Sequence, residues 1–522
     1  MRRAKQQIEA DGRSSHASSL ARAADWLQSE MLSLVPRSCY VWGREMVAQE
    51  AKMSVAAERI DGVKSAVRLR AGALGLVEIV GQSLAAIAPT LTPALNITVV
   101  AGLAGIGCWM AYFIGTLGVV IVAASVGILA ARHPEAGAFF VYIGRTFGPF
   151  AGAMAGWSMI SAYLFTAVAV TLSFAIFLGN FLGAFGIGLS VPAAAAVMIL
   201  FIAAVTYAAY RDVRLSSRAG LVLEVISIAI IVVISVLIVR VQGTVVDPAQ
   251  LKITSFKYGA VFSALPFVIF SFVGFESSAT LAKESANPRR NIPLAVIGTG
   301  AFAGVFFTLT AYLMVFGMGD ATSVLGTSTA PFGDVAARAG FRWASTIVYL
   351  AAMISVFACS LASVNAAARL LFSMGKYQFL HRSMGLVHDT HQTPHRAILL
   401  CGVILALVCV GMLPAGLLTA FGCAGTYASF GFVVVYLMLC IVAPLDLRRS
   451  REMKFRHFVL GLLGTALMLF VMVGSVYPVP EAPYDILPYA FFGYLAVGAV
   501  WFGVLKFKSP ETLASIEHDM EG

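Results

Sequence analysis

The chain has 522 residues, of which 59% are hydrophobic and only 12% charged, with a mean hydropathy of +0.86. A soluble domain carries roughly 45–50% apolar and ~25% charged residues, so a water-soluble globular protein is excluded and an integral membrane protein is indicated. The formal net charge of +10 is not by itself a nucleic-acid footprint, because its distribution along the chain follows membrane topology.

Residues 1–70 form a mixed-charge, Ser- and Ala-rich tail without the apolar core of a signal peptide. They read as a cytoplasmic segment, with translation from Met46 or Met53 as the competing account of the same stretch. A membrane-crossing helix needs about 20 apolar residues. Such segments lie near 73–95, 99–131, 149–183, 191–209, 219–239, 258–283, 292–317, 343–375, 397–412, 415–443, 457–475 and 487–505, giving twelve expected spans. Lys and Arg should collect on alternate, cytoplasmic loops. With the N-terminus inside, 31 of the 36 Lys and Arg fall on the inner side and 5 outside. Both termini are therefore expected in the cytoplasm, in the plasma (inner) membrane, and attraction to anionic lipid headgroups follows.

The first span carries Pro89 and Pro93 after the small-residue run Ala85-Ala86-Ile87-Ala88. Proline removes a backbone donor and clashes with the preceding turn, so this helix is expected to open around Ala86–Thr90. The sixth span is interrupted by Ser271-Phe272-Val273-Gly274-Phe275-Glu276 and ends in a basic Asn-Pro turn; there glycine permits unwinding. A membrane tolerates unpaired backbone groups only where they line a protein cavity, so both breaks point to a ligand site at membrane depth. Interruptions at corresponding positions of two five-helix halves also suggest an inverted repeat. Freed amides would hold a carboxylate and freed carbonyls an ammonium group, which suits an α-amino acid. The competing account is that Pro and Gly are simply common in membrane helices.

Three acids fall within spans: Glu78, Glu224 and Glu276. Acids at membrane depth mark proton relays, so Glu276 and Glu224 are the candidate coupling groups and Glu78, near the inner surface, ranks behind them as a solvated residue. For Glu276 the alternative is a structural acceptor of amide hydrogens from the broken helix, and for Glu224 an interhelical or lipid-interface hydrogen bond. Ser360, Ser363 and Asn365 could supply oxygens to sodium, although serines on membrane helices usually pack. Trp157, Tyr163 and Tyr427 could line a pocket or pack between helices. His381, His388, His391 and His395 crowd one loop but lack the spacing of a metal site, and the seven cysteines form no CxxC pair; neither a metal nor a cofactor is expected. An ATP-driven pump is disfavoured by the absence of G-x-x-x-x-G-K-[ST]. An enzyme is disfavoured by the absence of HExxH and GxSxG and of any histidine within an apolar span.

Three stretches resemble one known family. FSFVGFESSATLAKESANPRRNIPLAV is similar to the sixth-helix signature of the amino acid–polyamine–organocation (APC) superfamily of permeases. RHPEAGAFFVYIGRTFGPFAGAMAGW (132–157) resembles its loop between helices two and three, and SLASVNAAARLLFSMGKYQFLHRSMGLVH (360–388) its eighth helix and following loop. The resemblance runs from about residue 72 to 500. It implies an all-α membrane fold of twelve helices, with a 5+5 inverted-repeat, leucine-transporter-like core at 71–443, discontinuous helices 1 and 6, two further helices at 444–506 and a cytoplasmic tail at 507–522. It further implies that Ala86, Ile87, Ala88, Pro89 and Thr90 bind a substrate carboxylate, and that Phe270, Ser271, Phe272, Val273 and Gly274 receive the amino group, with Phe270 as an aromatic gate. The first break departs from the family's usual Gly-Ser-Gly type, reading Ala-Ala-Ile-Ala-Pro-Thr. The resemblance implies secondary active transport of an amino acid or related amine; apolar lining by Ala86, Ile87, Phe270 and Phe272 favours a neutral or apolar amino acid, and Glu276 and Glu224 favour coupling to protons over sodium. A polyamine or cationic amino acid carrier or exchanger, and a sensor that binds without transporting, are the alternatives.

Overall fold

A computed structural model describes residue 72 and residues 74–508, apart from 135–138, 212, 253, 255, 389–390, 478 and 480–481. The tail read at 1–70 and the final residues of the expected C-tail lie outside the described residues. The described chain is helical; its one β feature is an isolated bridge between Leu74 and Ser285. Among the described residues, eleven segments are long and apolar enough to cross a membrane. One of them, Leu76–Arg132, runs for 57 residues. At ~1.5 Å per residue this far exceeds a ~30 Å hydrocarbon core, and it is the stretch that the sequence reading divides into spans one and two.

That segment is not one rod. It comprises α1 (Leu76–Ile87), a π-helical turn (Thr92–Asn96), α2 (Ile97–Ala104) and α3 (Cys108–Arg132). There follow α4 (Phe139–Phe147), α5 (Pro149–Gly183), α6 (Val191–Arg211), α7 (Val213–Gln242) and α8 (Tyr258–Phe272). After a 3-10 stretch at Ser277–Glu284 come α9 (Pro288–Gly317), α10 (Pro331–Arg338), α11 (Arg342–Lys376), α12 (His395–Met412), α13 (Leu417–Arg449), α14 (Phe455–Gly474) and α15 (Leu487–Lys508). Several helices extend past their apolar cores, so His395 lies in the first turn of α12 and not in the loop where the sequence reading leaves it.

Burial sorts the helices. In α5, 89% of the most apolar window is buried, against 22% in α14 and in the window containing α15. The first is a central pillar, whereas the last two present their apolar sides outward, where hydrocarbon is the solvent. Small residues allow close approach at the centre: a Cβ added to Gly304 on α9 would lie 2.1 Å from Thr116 on α3, and one on Gly431 of α13 2.8 Å from Ala162 on α5. This is the small-residue packing by which membrane helices associate.

The end of the molecule rich in Arg and Lys is closed by ion pairs. Arg369 on α11 and Glu284 meet at 2.9 Å with both side chains under 5% exposed, and Leu74 donates its amide to the Glu284 carbonyl at 2.9 Å. Glu78 on α1 is 2% exposed and accepts hydrogen bonds from Arg218 on α7 at 2.5 Å and from the Gly75 amide at 2.9 Å. The expectation that Glu78 is merely solvated is thereby corrected, because a guanidinium 140 residues away in sequence covers it. Arg132 at the end of α3 binds Asp446 on α13 at 2.6 Å and also Glu452, while His133 meets the other Asp446 oxygen at 3.0 Å.

At the opposite end, Asp247 and Asp320 form no ion pair among the described residues. Asp247 is buried and accepts from Ala249 and Gln250. Burial, then the hydrogen bond and charge of Asp247, push the Asp320 carboxyl above the usual aspartate range. A carboxyl raised in the folded state binds protons more tightly than in the unfolded chain, so stability grows as pH falls through the raised value toward ~3.9. Asp320→Asn is expected to melt higher than wild type at alkaline pH, with the advantage shrinking on acidification; thermal unfolding across pH in detergent measures it.

Candidate functional site

Both expected breaks exist, and they face one another. α1 stops at Ile87, Ala88 takes a left-handed φ of 48°, Pro89 and Thr90 form a turn, and Pro93 opens the π-turn. α8 stops at Phe272, Val273 is extended at ψ 134°, and Gly274 has φ 107°. A Cβ on Gly274 would lie 2.5 Å from the Ala86 carbonyl carbon and 2.7 Å from its oxygen. The second break therefore needs glycine twice over, for its backbone angle and for the contact.

The loosened backbone is stitched from three directions. Ser83 donates to the Phe275 carbonyl at 2.7 Å and accepts from the Ser278 amide at 3.2 Å. Gln82 donates to the Ala362 carbonyl on α11 at 3.1 Å, and Cys359 on α11 donates to the Ala86 carbonyl at 3.0 Å. These contacts satisfy groups that the breaks expose. Thr90 is completely buried, yet its hydroxyl has no hydrogen-bond partner among the described residues. A buried hydroxyl left unpaired costs about 1–3 kcal/mol, so it is a place where an incoming acceptor gains.

The second group of site candidates divides. Phe270 lies against Phe421 and over Gly425 of α13, where an added Cβ would fall 2.9 Å from its ring. Ser271 is occupied elsewhere: its hydroxyl accepts from Asn96 at 3.1 Å and pairs with the Tyr112 hydroxyl at 3.1 Å. Phe272 packs between Tyr112 and Phe307, on the α3 and α9 side. Of the side chains assigned to the second break, only Phe270 is placed at α13, while Ser271 and Phe272 serve the packing of α8. On the other side of the site Ala85 and Ala86 form a small apolar cluster with Ala358 and Ala362.

Glu276 is fully buried and fully engaged. Tyr163 on α5 donates to one oxygen at 2.7 Å; Tyr436 on α13 at 2.6 Å and the Gly274 amide at 3.2 Å donate to the other. Three converging donors fit an acceptor-only carboxylate. Glu224 on α7 is equally buried but differs in chemistry. Ser355 on α11 donates to one oxygen at 2.7 Å, and the other has no partner among the described residues. Ser360 is buried and its hydroxyl has no hydrogen-bond partner among the described residues; Ser363 lies beside the Cys359 thiol, and the main-chain carbonyl of Asn365 accepts from Arg369 at 3.3 Å. Trp157 stacks on Tyr494 and Tyr427 on Phe165. Sequence reasoning did not reach Tyr436, Ser355 or Cys359, and it found no role for Tyr163 beyond lining or packing; Tyr163 and Tyr436 lie 113 and 160 residues from Glu276.

A family model described as amino acid permease matches residues 79–508. The chain belongs to the amino acid permease family, within the APC superfamily. Relatives of this permease include the branched-chain amino acid permease BcaP of Bacillus subtilis, 24% identical over 361 residues that cover 66% of this chain and 76% of BcaP. The low-affinity putrescine importer PlaP of Escherichia coli is 26% identical over 390 residues, covering 74% of this chain and 84% of PlaP. A third, the chloroplastic cationic amino acid transporter 7 of Arabidopsis thaliana, is 26% identical over 306 residues, 53% of this chain and 50% of that protein. These relatives are named as permeases, importers or transporters, and with the apolar helices they indicate a multi-pass membrane permease for small molecules.

Tyr436→Phe removes one donor from a buried carboxylate, and a loss of about 1–3 kcal/mol is expected. Adding Glu276→Gln should recover part of that loss, since the two residues share one interaction. Unfolding of the single and double variants in detergent measures the coupling; strictly additive losses would separate the pair.

Proposed function

We propose that this permease is a secondary active transporter of a neutral, apolar α-amino acid, driven by protons and working by alternating access about the facing breaks of α1 and α8. In this reading the chain crosses the plasma (inner) membrane twelve times, its first ten spans form a 5+5 inverted repeat, and both termini are cytoplasmic. The observation that carries the substrate class is the set of hydrogen bonds that Glu276 already accepts from Tyr163, Tyr436 and Gly274. A diamine or cationic amino acid needs a free carboxylate for its second positive charge, and Glu276 already accepts three hydrogens from its own chain. Apart from the Thr90 and Ser278 hydroxyls, the side chains named at the breaks are apolar: Ala86, Ile87, Ala358, Ala362 and Phe270.

The substrate carboxylate would meet the Thr90 hydroxyl and the amide end of the first break, and the ammonium group the carbonyls around Phe270–Gly274. Glu224 is the better proton carrier, because its second oxygen is unclaimed, and a neutral acid presents a donor there that a carboxylate lacks. Ser355, which holds Glu224, and Cys359, which holds the Ala86 carbonyl, are one turn apart on α11. Proton occupancy at Glu224 thus sits one helical turn from the backbone of the first break. Glu276 would act by position, fixing the second break against α5 and α13.

Uptake into proteoliposomes tests this reading. Leucine should accumulate against its gradient under an imposed inward proton gradient, and putrescine should neither accumulate nor compete. Glu224→Gln should reduce accumulation to the equilibrium level while leaving leucine–leucine exchange. Binding without flux would identify a sensor, and accumulation of putrescine would overturn the assignment of Glu276. Unchanged proton dependence in Glu224→Gln would remove it as the carrier.

A further inference from the structure

The segment joining α13 to α14 has two faces with different duties. One face closes the basic end of the molecule: Asp446 and Glu452 hold Arg132, Ser450 accepts from the same guanidinium, and Arg449 donates to the Arg145 and Thr146 carbonyls of α4 at 3.0 and 3.1 Å. The other face is free. Arg448, Arg451 and Lys454 are exposed, and their side chains make no ion pair or hydrogen bond among the described residues. Asp446 and Glu452 are already taken by Arg132, so the positive charge of this face has no paired acid among the described residues.

The same few residues carry large exposed apolar side chains. Phe455 is 82% exposed, Phe458 49% and Met453 40%. Phe455 opens α14, a helix whose apolar surface faces outward along its length. Basic heads and bare aromatic rings therefore alternate where a hydrocarbon-facing helix leaves the bilayer. A soluble acidic protein would match the charges and leave the rings in water. An anionic phospholipid matches both, phosphate to the basic groups and acyl chain to the rings.

We propose that the α13–α14 segment is a binding site for an anionic phospholipid headgroup, held by Arg448, Arg451 and Lys454, and that lipid bound there stabilises the Arg132–Asp446 junction between α3 and α13. The lipid draws the outer face of the segment toward the membrane plane while the inner face keeps Arg132. Lipid composition then biases how readily α3 separates from α13 and α4. The inference does not rest on the transported substrate, and its readouts are independent of transport.

The test uses the full chain in nanodiscs of phosphatidylcholine alone or with equimolar phosphatidylglycerol. Native mass spectrometry should show retained phosphatidylglycerol on the wild type. Each basic group near an anionic surface contributes roughly a fivefold gain in affinity, so the variant R448Q/R451Q/K454Q should bind about a hundredfold more weakly, with an unchanged melting temperature in phosphatidylcholine. Hydrogen exchange in α4 and the last turn of α3 should slow on adding phosphatidylglycerol in the wild type and not in the variant. As a control, R289Q/R290Q alters exposed basic residues elsewhere on the chain and should leave binding intact. Equal retention by wild type and the triple variant, equal weakening by the control pair, or lipid binding without the change in exchange would each overturn the proposal.

Discussion

The peptide group cannot be left unpaired inside a bilayer, and the rest of this structure is arranged around the two places where the chain breaks that rule. Each break leaves amides and carbonyls without intrahelical partners. The solution is mutual: Gly274 brings the second break into contact with the Ala86 carbonyl, Ser83, Cys359 and Glu276 hydrogen-bond groups at the breaks, and Gln82 ties α1 to α11. The small residues Ala85, Ala86, Ala358 and Ala362 are part of the same constraint, because only short side chains let the broken segment approach α11.

The two buried acids differ in what holds them. Glu276 accepts from three donors, whereas Glu224 accepts from one, and its second oxygen has no partner among the described residues. Glu276 and Glu224 differ in this respect although both are wholly buried. Desolvation alone would not distinguish them; hydrogen-bond inventory does. The ion pairs at the basic end obey a related rule. Arg369 and Glu284 are both nearly inaccessible, so parting them would strand a charge in low dielectric, a cost that can reach about 3–5 kcal/mol. Opening that end requires water to enter as the pairs separate.

Much of this was legible in the sequence. Proline and glycine within long apolar runs locate both breaks to within a residue or two, since Pro89 and Gly274 act through local backbone chemistry. The family signature is likewise local, a string of neighbouring residues. What was not legible is relational. Glu78 appears solvated until Arg218 is brought over it; Ser271 appears available until Asn96 and Tyr112 engage it; Tyr436 is one aromatic residue among many until it is seen beside Glu276. In an apolar chain an aromatic residue is usually packing, and nothing in its sequence neighbourhood reveals that its hydroxyl is the part that matters.

The contrast between the two ends of the molecule completes the physical picture. At the basic end every described acid discussed here has a guanidinium partner: Glu78 with Arg218, Glu284 with Arg369, Asp446 and Glu452 with Arg132. At the other end Asp320 is set against a second acid, Asp247, and is pushed toward its neutral form. Ion pairs formed on one side and a carboxyl clash on the other make the two faces unequal in what it costs to open them. Ion pairs hold α1 to α7, the 3-10 stretch to α11, and α3 to α13 at the basic end, whereas Asp247 and Asp320 set two acids side by side at the other. The described conformation is therefore one in which the basic end is the tightly held side, and the electrostatics that hold it are carried by the long-range partners that the sequence alone does not pair.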